Sequence, residues 1–370
     1  MGNQSKSWYK FVKNKLAVLG FVFIFCVTLI ALLGYLVTPD NSPMANRMNL
    51  ALSIKKPGAT FTFLSIPVKG KPYRCNFLET MFYGQANQPN LIPIVKYEII
   101  GDSLIYQEFT GDNSSVDLHG TLLKDVDVYS DATDFEEKYI LRKTFWLGTD
   151  IYGRDMLSRI IIGARISLMV GFMGVLLSLG LGLIMGALAG YFGGKTDAII
   201  SWFMNVLWAL PALLLVIAIS FALGKGLWQV FIAIGLSLWV EVARLVRGQF
   251  MSMRNAQFVE AAKALGYGNL RIIFKHILPN ILGPLTVMAA SNFASAILLE
   301  AGLSFLGFGA QPPTPTWGGM IKEHYGYIII DAAYLAIIPG LLIMLVVYAF
   351  NLITLGLRDL YDIRSQNSNM

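Results

Sequence analysis

Runs of roughly 20 apolar residues, each about long enough to cross the hydrocarbon core of a bilayer, recur along this chain and constrain it more than any other feature. They fall at Leu16–Val37, Ile166–Leu188, Ile199–Leu223, Leu227 to about Val242, Ile281–Phe305 and Tyr334–Leu355. Charged residues make up 14% of the chain against 55% hydrophobic, where a soluble domain carries about 25% charged. A polytopic, all-α membrane protein of six transmembrane helices follows. The formal charge of +6 is then a matter of topology and not of nucleic-acid binding, because lysine and arginine cluster beside the apolar runs, as the positive-inside rule expects. Lys6, Lys10, Lys13 and Lys15 precede the first run. That run is too long for a signal peptide and no small-x-small cleavage site follows it, so residues 1–15 read as a cytoplasmic tail and 16–37 as an uncleaved first helix.

Residues 38–146 are different material. Charge is mixed, Pro, Gly and Asn punctuate the stretch, and 93–100 and 103–109 alternate with period two around Gly101-Asp102, a hairpin signal. A third run, Thr121 to Tyr129, alternates less cleanly. The expectation is a small β-rich extracytoplasmic insert between helices 1 and 2. Its acidic stretch, Asp125 to Glu137, lacks the glycine and terminal glutamate of an EF-hand loop and reads as a solvated face.

Residues 147–165 contain Gly148, Gly153 and a stripe of Met156, Leu157, Ile160 and Ile161 flanked by Arg154, Arg159 and Arg165. This suits a helix lying at the interface before the chain dives in. The core, 166–356, follows, and its first span carries Gly182, Gly186 and Gly190 at a spacing that lets helix backbones approach closely. Pro211 predicts a kink in the next span. The tail 357–370 is expected in the cytoplasm with the N-terminus.

The stretch 244–280 reads as the longest water-facing part of the apolar half, with Arg244, Arg247, Arg254, Lys263, Arg271, Lys275 and His276 against Glu260 alone. Phe258, Ala261, Ala262 and Leu265 predict a short amphipathic helix over 256–265. Gly266 is placed to end it in the left-handed conformation. Asn269 is placed to cap a second helix that closes or kinks at Pro279.

Glu260-Ala261-Ala262, Gly266 and Ile277-Leu278-Pro279 resemble the cytoplasmic signature loop of permease subunits in ATP-binding-cassette importers. The string Gly148-Thr149-Asp150, Gly153-Arg154-Asp155 closely resembles the opening of the permease core in the dipeptide, oligopeptide and nickel branch, and so does the stretch from Leu299 to Met320. The resemblance covers the first helix and about 147–362, not the insert. It implies the type I importer permease fold, with Glu260, Ala261, Ala262 and Gly266 docking on an ATPase and Leu278 and Pro279 leading back into the membrane. Further partners it implies are a second homologous permease, two ATPase subunits that use ATP and magnesium, an extracytoplasmic solute-binding protein and the inner membrane of a bacterium. Where relatives have an arginine and an aspartate before Ala209-Leu210-Pro211, this chain has Trp202 and Asn205.

No ATPase of the chain's own is expected. Gly194-Lys195-Thr196 follows a membrane helix and has Ala189 where a phosphate-binding loop needs glycine, and Gly180-Leu181-Gly182 has Met185 at the third glycine of a dinucleotide fingerprint. Cys26 and Cys75 form no framework, and His119, His276 and His324 are scattered, so no cofactor, metal or catalytic residue is assigned. Glu300, near the outer end of its helix, is expected with Ser304 either to line a translocation path or to pin the Gly- and Pro-rich outer loop. Peptides are the expected cargo, with nickel or another small solute as the alternative. A membrane-anchored sensor or assembly protein would have no need of the signature loop, and a secondary transporter would carry ionisable residues nearer mid-membrane.

Overall fold

A computed structural model describes residues 11–67, 76–85, 88–100, 103–111, 118–122, 135, 138–329 and 331–361. The Gly101-Asp102 turn, the acidic stretch 125–134 with Glu136 and Glu137, Lys6, Lys10 and Cys75 lie outside them.

Helix α1, Lys15–Leu32, is capped by Asn14, whose side chain accepts from the Ala17 amide at 3.2 Å. Beyond it the chain enters an antiparallel sheet: β1 (Ala59–Ile66), then helix α2 (Phe77–Tyr83), β2 (Asn90–Ile100), β3 (Ser103–Glu108), β4 (Leu118–Leu122) and β5 (Ile140–Phe145). The strand order is β4-β3-β2-β1-β5. Ile100 opposes Ser103, so β2 and β3 are joined at the hairpin that the alternation predicts. Leu64, Ile94, Leu104, Tyr106, Phe135 and Tyr139 close a small core on this sheet.

Helix α3, Met156–Phe192, follows, then α4 (Gly194–Trp208), α5 (Ala212–Leu223) and α6 (Leu227–Met253). The short α7 (Gln257–Ala264) and α8 (Asn269–Ile272) come next, and a π turn, Ile273–Ile277, runs into α9 (Leu278–Phe305). Helices α10 (Trp317–His324) and α11 (Tyr334–Tyr361) complete the fold. Five helical stretches among the described residues are long and apolar enough to cross a membrane, and the pair α4 and α5 makes a sixth if it counts as one span.

That pair corrects one expectation. Instead of a kinked helix over 199–223, the chain breaks by 94° between Trp208 and Ala212. Pro211 supplies no amide hydrogen and disfavours helical geometry in the residue before it, so the first helix ends and a second begins at Ala212.

The glycine spacing in α3 is realised against α6. A Cβ at Gly186 would sit 2.5 Å from the Ala243 carbonyl oxygen, and one at Gly190 would sit 2.6 Å from that of Arg247. Two backbones therefore touch along three turns, and Val242, Val246 and Phe250 fill the flanks. On the other side of the bundle α1 lies along α11, where Gly20 meets the Ala349 carbonyl and Asn14 donates to Asp359 at 3.1 Å.

Candidate functional site

The bend between α6 and α9 is shorter than the stretch 244–280. Helix α6 continues to Met253 and helical structure resumes at Asn269, because Val246, Phe250, Ile272, Ile273 and Ile277 are all drawn into one buried cluster. Helix α7 sits between them. Its C-terminus is closed by two bonds, Gly266 N–H to the Lys263 carbonyl at 2.9 Å and Tyr267 N–H to the Ala262 carbonyl at 3.1 Å. This is the paired arrangement that needs a left-handed residue, and Gly266 has φ +78°.

The buried side of α7 is Val259 and Ala262. Phe258, Ala261 and Leu265, expected on the buried stripe, face outward, with Phe258 43% and Leu265 72% exposed. Glu260 and Lys263 share that outer surface, and Leu270 and Phe274 extend it. Helix α7 is therefore apolar on two sides, one keyed into the bundle and one presented outward.

Two details of the second helix differ from expectation. Gly268 occupies the cap position, while the Asn269 side chain instead accepts from the Tyr191 hydroxyl of α3 at 2.9 Å. Pro279 does not end the helix either. Its ring lacks an N–H and crowds the carbonyl four residues back, and the π turn Ile273–Ile277 widens the backbone just before it, so Asn269–Phe305 runs on as one span. Leu278 and Pro279 lie at the start of α9, as placed from the sequence.

The string at 147–165 forms no lying helix. Its first half is a knot of turns, and its second half is already the start of α3, capped by Asp155, which accepts from the Ser158 amide at 2.9 Å. Gly153, with φ +70°, lies so close to the Asn49 carbonyl that no side chain fits. Thr149 accepts from the Lys55 amide at 2.8 Å and donates to the Leu52 carbonyl, tying the knot to the start of the insert.

Instead of meeting water, Arg154 and Arg159 are 1% and 2% exposed. Arg154 donates to Asp150 at 2.5 Å, to Glu323 of α10 at 2.9 Å and to Asn46 at 3.2 Å. Arg159 lies 3.6 Å from each of the same two carboxylates, too far for hydrogen bonds. Beside them, burial holds the pKa of His324 below its ordinary value. Asp150, Glu323 and His324 could group around a metal by distance, but both carboxylates already serve guanidinium groups. Sequence reasoning had no signal for Glu323 as a partner, since it lies 169 positions from Arg154.

Glu300 is 1% exposed and accepts from Ser304 at 2.7 Å and from Ser167 of α3 at 3.1 Å. Thr316, at the head of α10, contacts Ser304 at 3.3 Å. Glu300 and Ser304 thus face α3 and the loop leading into α10 of their own chain. Asn205, one of the departures from the family pattern, accepts from Arg244 of α6 at 2.8 Å, while Trp202 stands exposed.

Residues 178–366 match the family model described as the inner membrane component of binding-protein-dependent transport systems, and residues 5–52 match the N-terminal transmembrane domain of oligopeptide transport permease C. The chain belongs to this family of importer permeases. Three relatives show how the similarity is distributed. The dipeptide transport system permease protein DppC of Alkalihalophilus pseudofirmus is 46% identical over 59% of this chain and 71% of its own length. The oligopeptide transport system permease protein OppC of Haemophilus influenzae is 42% identical over 59% and 70%. The glutathione transport system permease protein GsiD of Pectobacterium atrosepticum is 42% identical over 59% and 72%. The permease is therefore an inner-membrane subunit of an ATP-binding-cassette importer, in the branch of the dipeptide and oligopeptide permeases, and its setting is a multi-pass one beside an ATPase and a solute-binding protein. Neither family-model match reaches residues 53–146, which include the five strands among the described residues.

Proposed function

We propose that this permease forms half of the translocation path of a peptide importer of the type I fold, paired with a second homologous permease and driven by two ATPase subunits that bind ATP and magnesium. Both termini and the α7 bend lie in the cytoplasm, and the sheet lies on the outer side, as the basic N-terminal tail and the bend's cations suggest. A loaded binding protein docks outside, nucleotide closes the ATPases inside, and the bend turns that closure into helix movement.

One observation carries the coupling role. Helix α7 buries Val259 and Ala262 in the same cluster as α3, α6 and α9, yet leaves Phe258, Ala261 and Leu265 uncovered beside Glu260. An outward apolar patch on a cationic loop suits insertion into a cleft of another subunit. Gly266 fixes its angle, and Leu278 and Pro279 pass the displacement to α9. Glu300 and Ser304 act as a pin between α3, α9 and the outer loop, and Gly148, Thr149, Asp150, Gly153, Arg154 and Asp155 lock the insert to the core.

The names of the relatives support peptide as cargo. The test is binding-protein-stimulated ATP hydrolysis and peptide uptake by the assembled complex with Glu260→Lys or Gly266→Pro. Uptake is expected to fall at least tenfold while the complex still assembles, and undiminished uptake in both variants removes the coupling role.

A further inference from the structure

Behind the outer loop lies a cavity of about 220 Å³ lined by Arg159, Ser304, Gln311, Thr316, Lys322 and Glu323 among others. That is smaller than the roughly 300–1,000 Å³ of drug-sized sites and is room for one end of a small solute. Arg159 lies 98% buried in it, and two of its nitrogens, Nε and one Nη, donate to nothing in the protein. An unsatisfied buried guanidinium costs several times what a made hydrogen bond contributes, so such donors are kept where an acceptor visits them.

The charges around it favour an anion. Arg154 takes the short contacts to Asp150 and Glu323, leaving Arg159 at 3.6 Å from each. The Lys322 ammonium lies against Gly307 on the wall. On the cavity wall Arg159 and Lys322 stand against Glu323, whose carboxylate Arg154 already holds, and a metal ion at Asp150, Glu323 and His324 would meet the two guanidinium groups. Nε faces Asp150 and Nη2 faces Glu323, each at 3.6 Å, which leaves Nη1 as the buried donor turned to neither, and a carboxylate oxygen suits it as a charged acceptor. Ser304 and Thr316 add hydroxyls, and Ser304 joins the cavity to Glu300 of the spanning helix α9.

We infer that this cavity is a carboxylate site, in which Arg159 receives the C-terminal carboxylate of a short peptide before it enters the path. The inference rests on the peptide-importer reading and adds a binding site on the permease itself. An arginine this deeply buried suits the end of a small solute better than a side chain of a docked protein.

The assembled importer, without binding protein, is to be placed in lipid nanodiscs and its melting followed with tri-alanine and with tri-alanine amide. Millimolar free acid is expected to raise the melting temperature by a few degrees and the amide not at all. Arg159→Gln should abolish the shift, Arg159→Lys should weaken it by withdrawing the Nη1 donor while keeping a charge, and Lys322→Glu, at an exposed position on the wall, should weaken it without disturbing the buried ion cluster. Equal shifts from acid and amide overturn the inference, as does a shift that survives both Arg159→Gln and Lys322→Glu. Should Arg159→Gln fail to assemble, the acid and amide pair with Lys322→Glu decides. Peptide uptake by the wild-type complex with its binding protein separates the two levels: no uptake defeats the peptide reading, whereas uptake with no acid-specific shift defeats this site alone.

Discussion

The Tyr191 hydroxyl donates to the Asn269 side chain at 2.9 Å, joining the last turn of α3 to the first turn of α8 across the bend. It is the direct polar strut between the bundle and the segment that leads from α7 into α9. A bond of this kind contributes only about 1 kcal/mol net, yet it fixes the distance through which motion of α7 reaches α3.

Tyr191→Phe should therefore cost little stability, about 1 kcal/mol or less, while loosening transmission. The expected outcome is ATP hydrolysis that no longer rises in proportion to uptake. Measuring both rates on one preparation checks it, and an unchanged ratio argues against the strut.

Gly186→Val should be far more damaging than Gly180→Ala. The first drives a branched side chain into the Ala243 carbonyl and Val246, whereas a Cβ at Gly180 meets nothing within 4 Å. Overpacking of this sort costs about 1–3 kcal/mol or more. Melting of the detergent-purified protein should drop for Gly186→Val and stay put for Gly180→Ala.

Gly266→Ala is expected to weaken the end of α7 by about 1 kcal/mol, since alanine at φ +78° pays for a left-handed conformation. Global melting should barely change. Protease sensitivity between Leu265 and Gly268 should rise, and equal sensitivity in variant and parent would contradict the cap assignment.

Acidification should destabilise the ion cluster through His324. Burial depresses its folded pKa more than the Met320 carbonyl bond and the nearby carboxylates restore it. Unfolded, it titrates near about 6.5. The histidine's contribution is complete above that value and is lost as pH falls from there to the folded pKa, because over that window only the unfolded chain gains the proton. Melting temperature between about pH 8 and pH 5 should fall less steeply in His324→Asn than in the parent.

Legibility followed the range of the forces involved. The apolar runs, the glycine spacing of α3, the cap at Gly266 and the β2–β3 pairing depend on residues a few positions apart, and each is present in the structure. The Arg154–Glu323 and Ser167–Glu300 pairs join distant parts of the chain, and no local pattern announces them. Helix ends suffered for the same reason. Tertiary burial of Phe250 and Ile272 extended α6 and restarted helix at Asn269, overriding the polar composition of the stretch between them. At Pro211 and Pro279 the same residue type produced opposite results. One allowed a sharp break, and the other was absorbed by a π turn.

The anchoring of the sheet has a mechanical corollary. Lys56 meets Asp331 at 2.6 Å and the Tyr334 hydroxyl donates to the Lys55 carbonyl at 2.9 Å, so the base of the sheet is clamped at the N-terminal head of α11. When that helix swings, the strands must swing with it. Strand β1, with its 8 residues, runs about 26 Å away from the clamp at roughly 3.3 Å per residue, so a tilt of about 5° there carries its far end by about 2 Å. The sheet, which neither family-model match reaches, is thus also a pointer, and a dye at its tip would register strokes of the transporter too small to see within the bilayer.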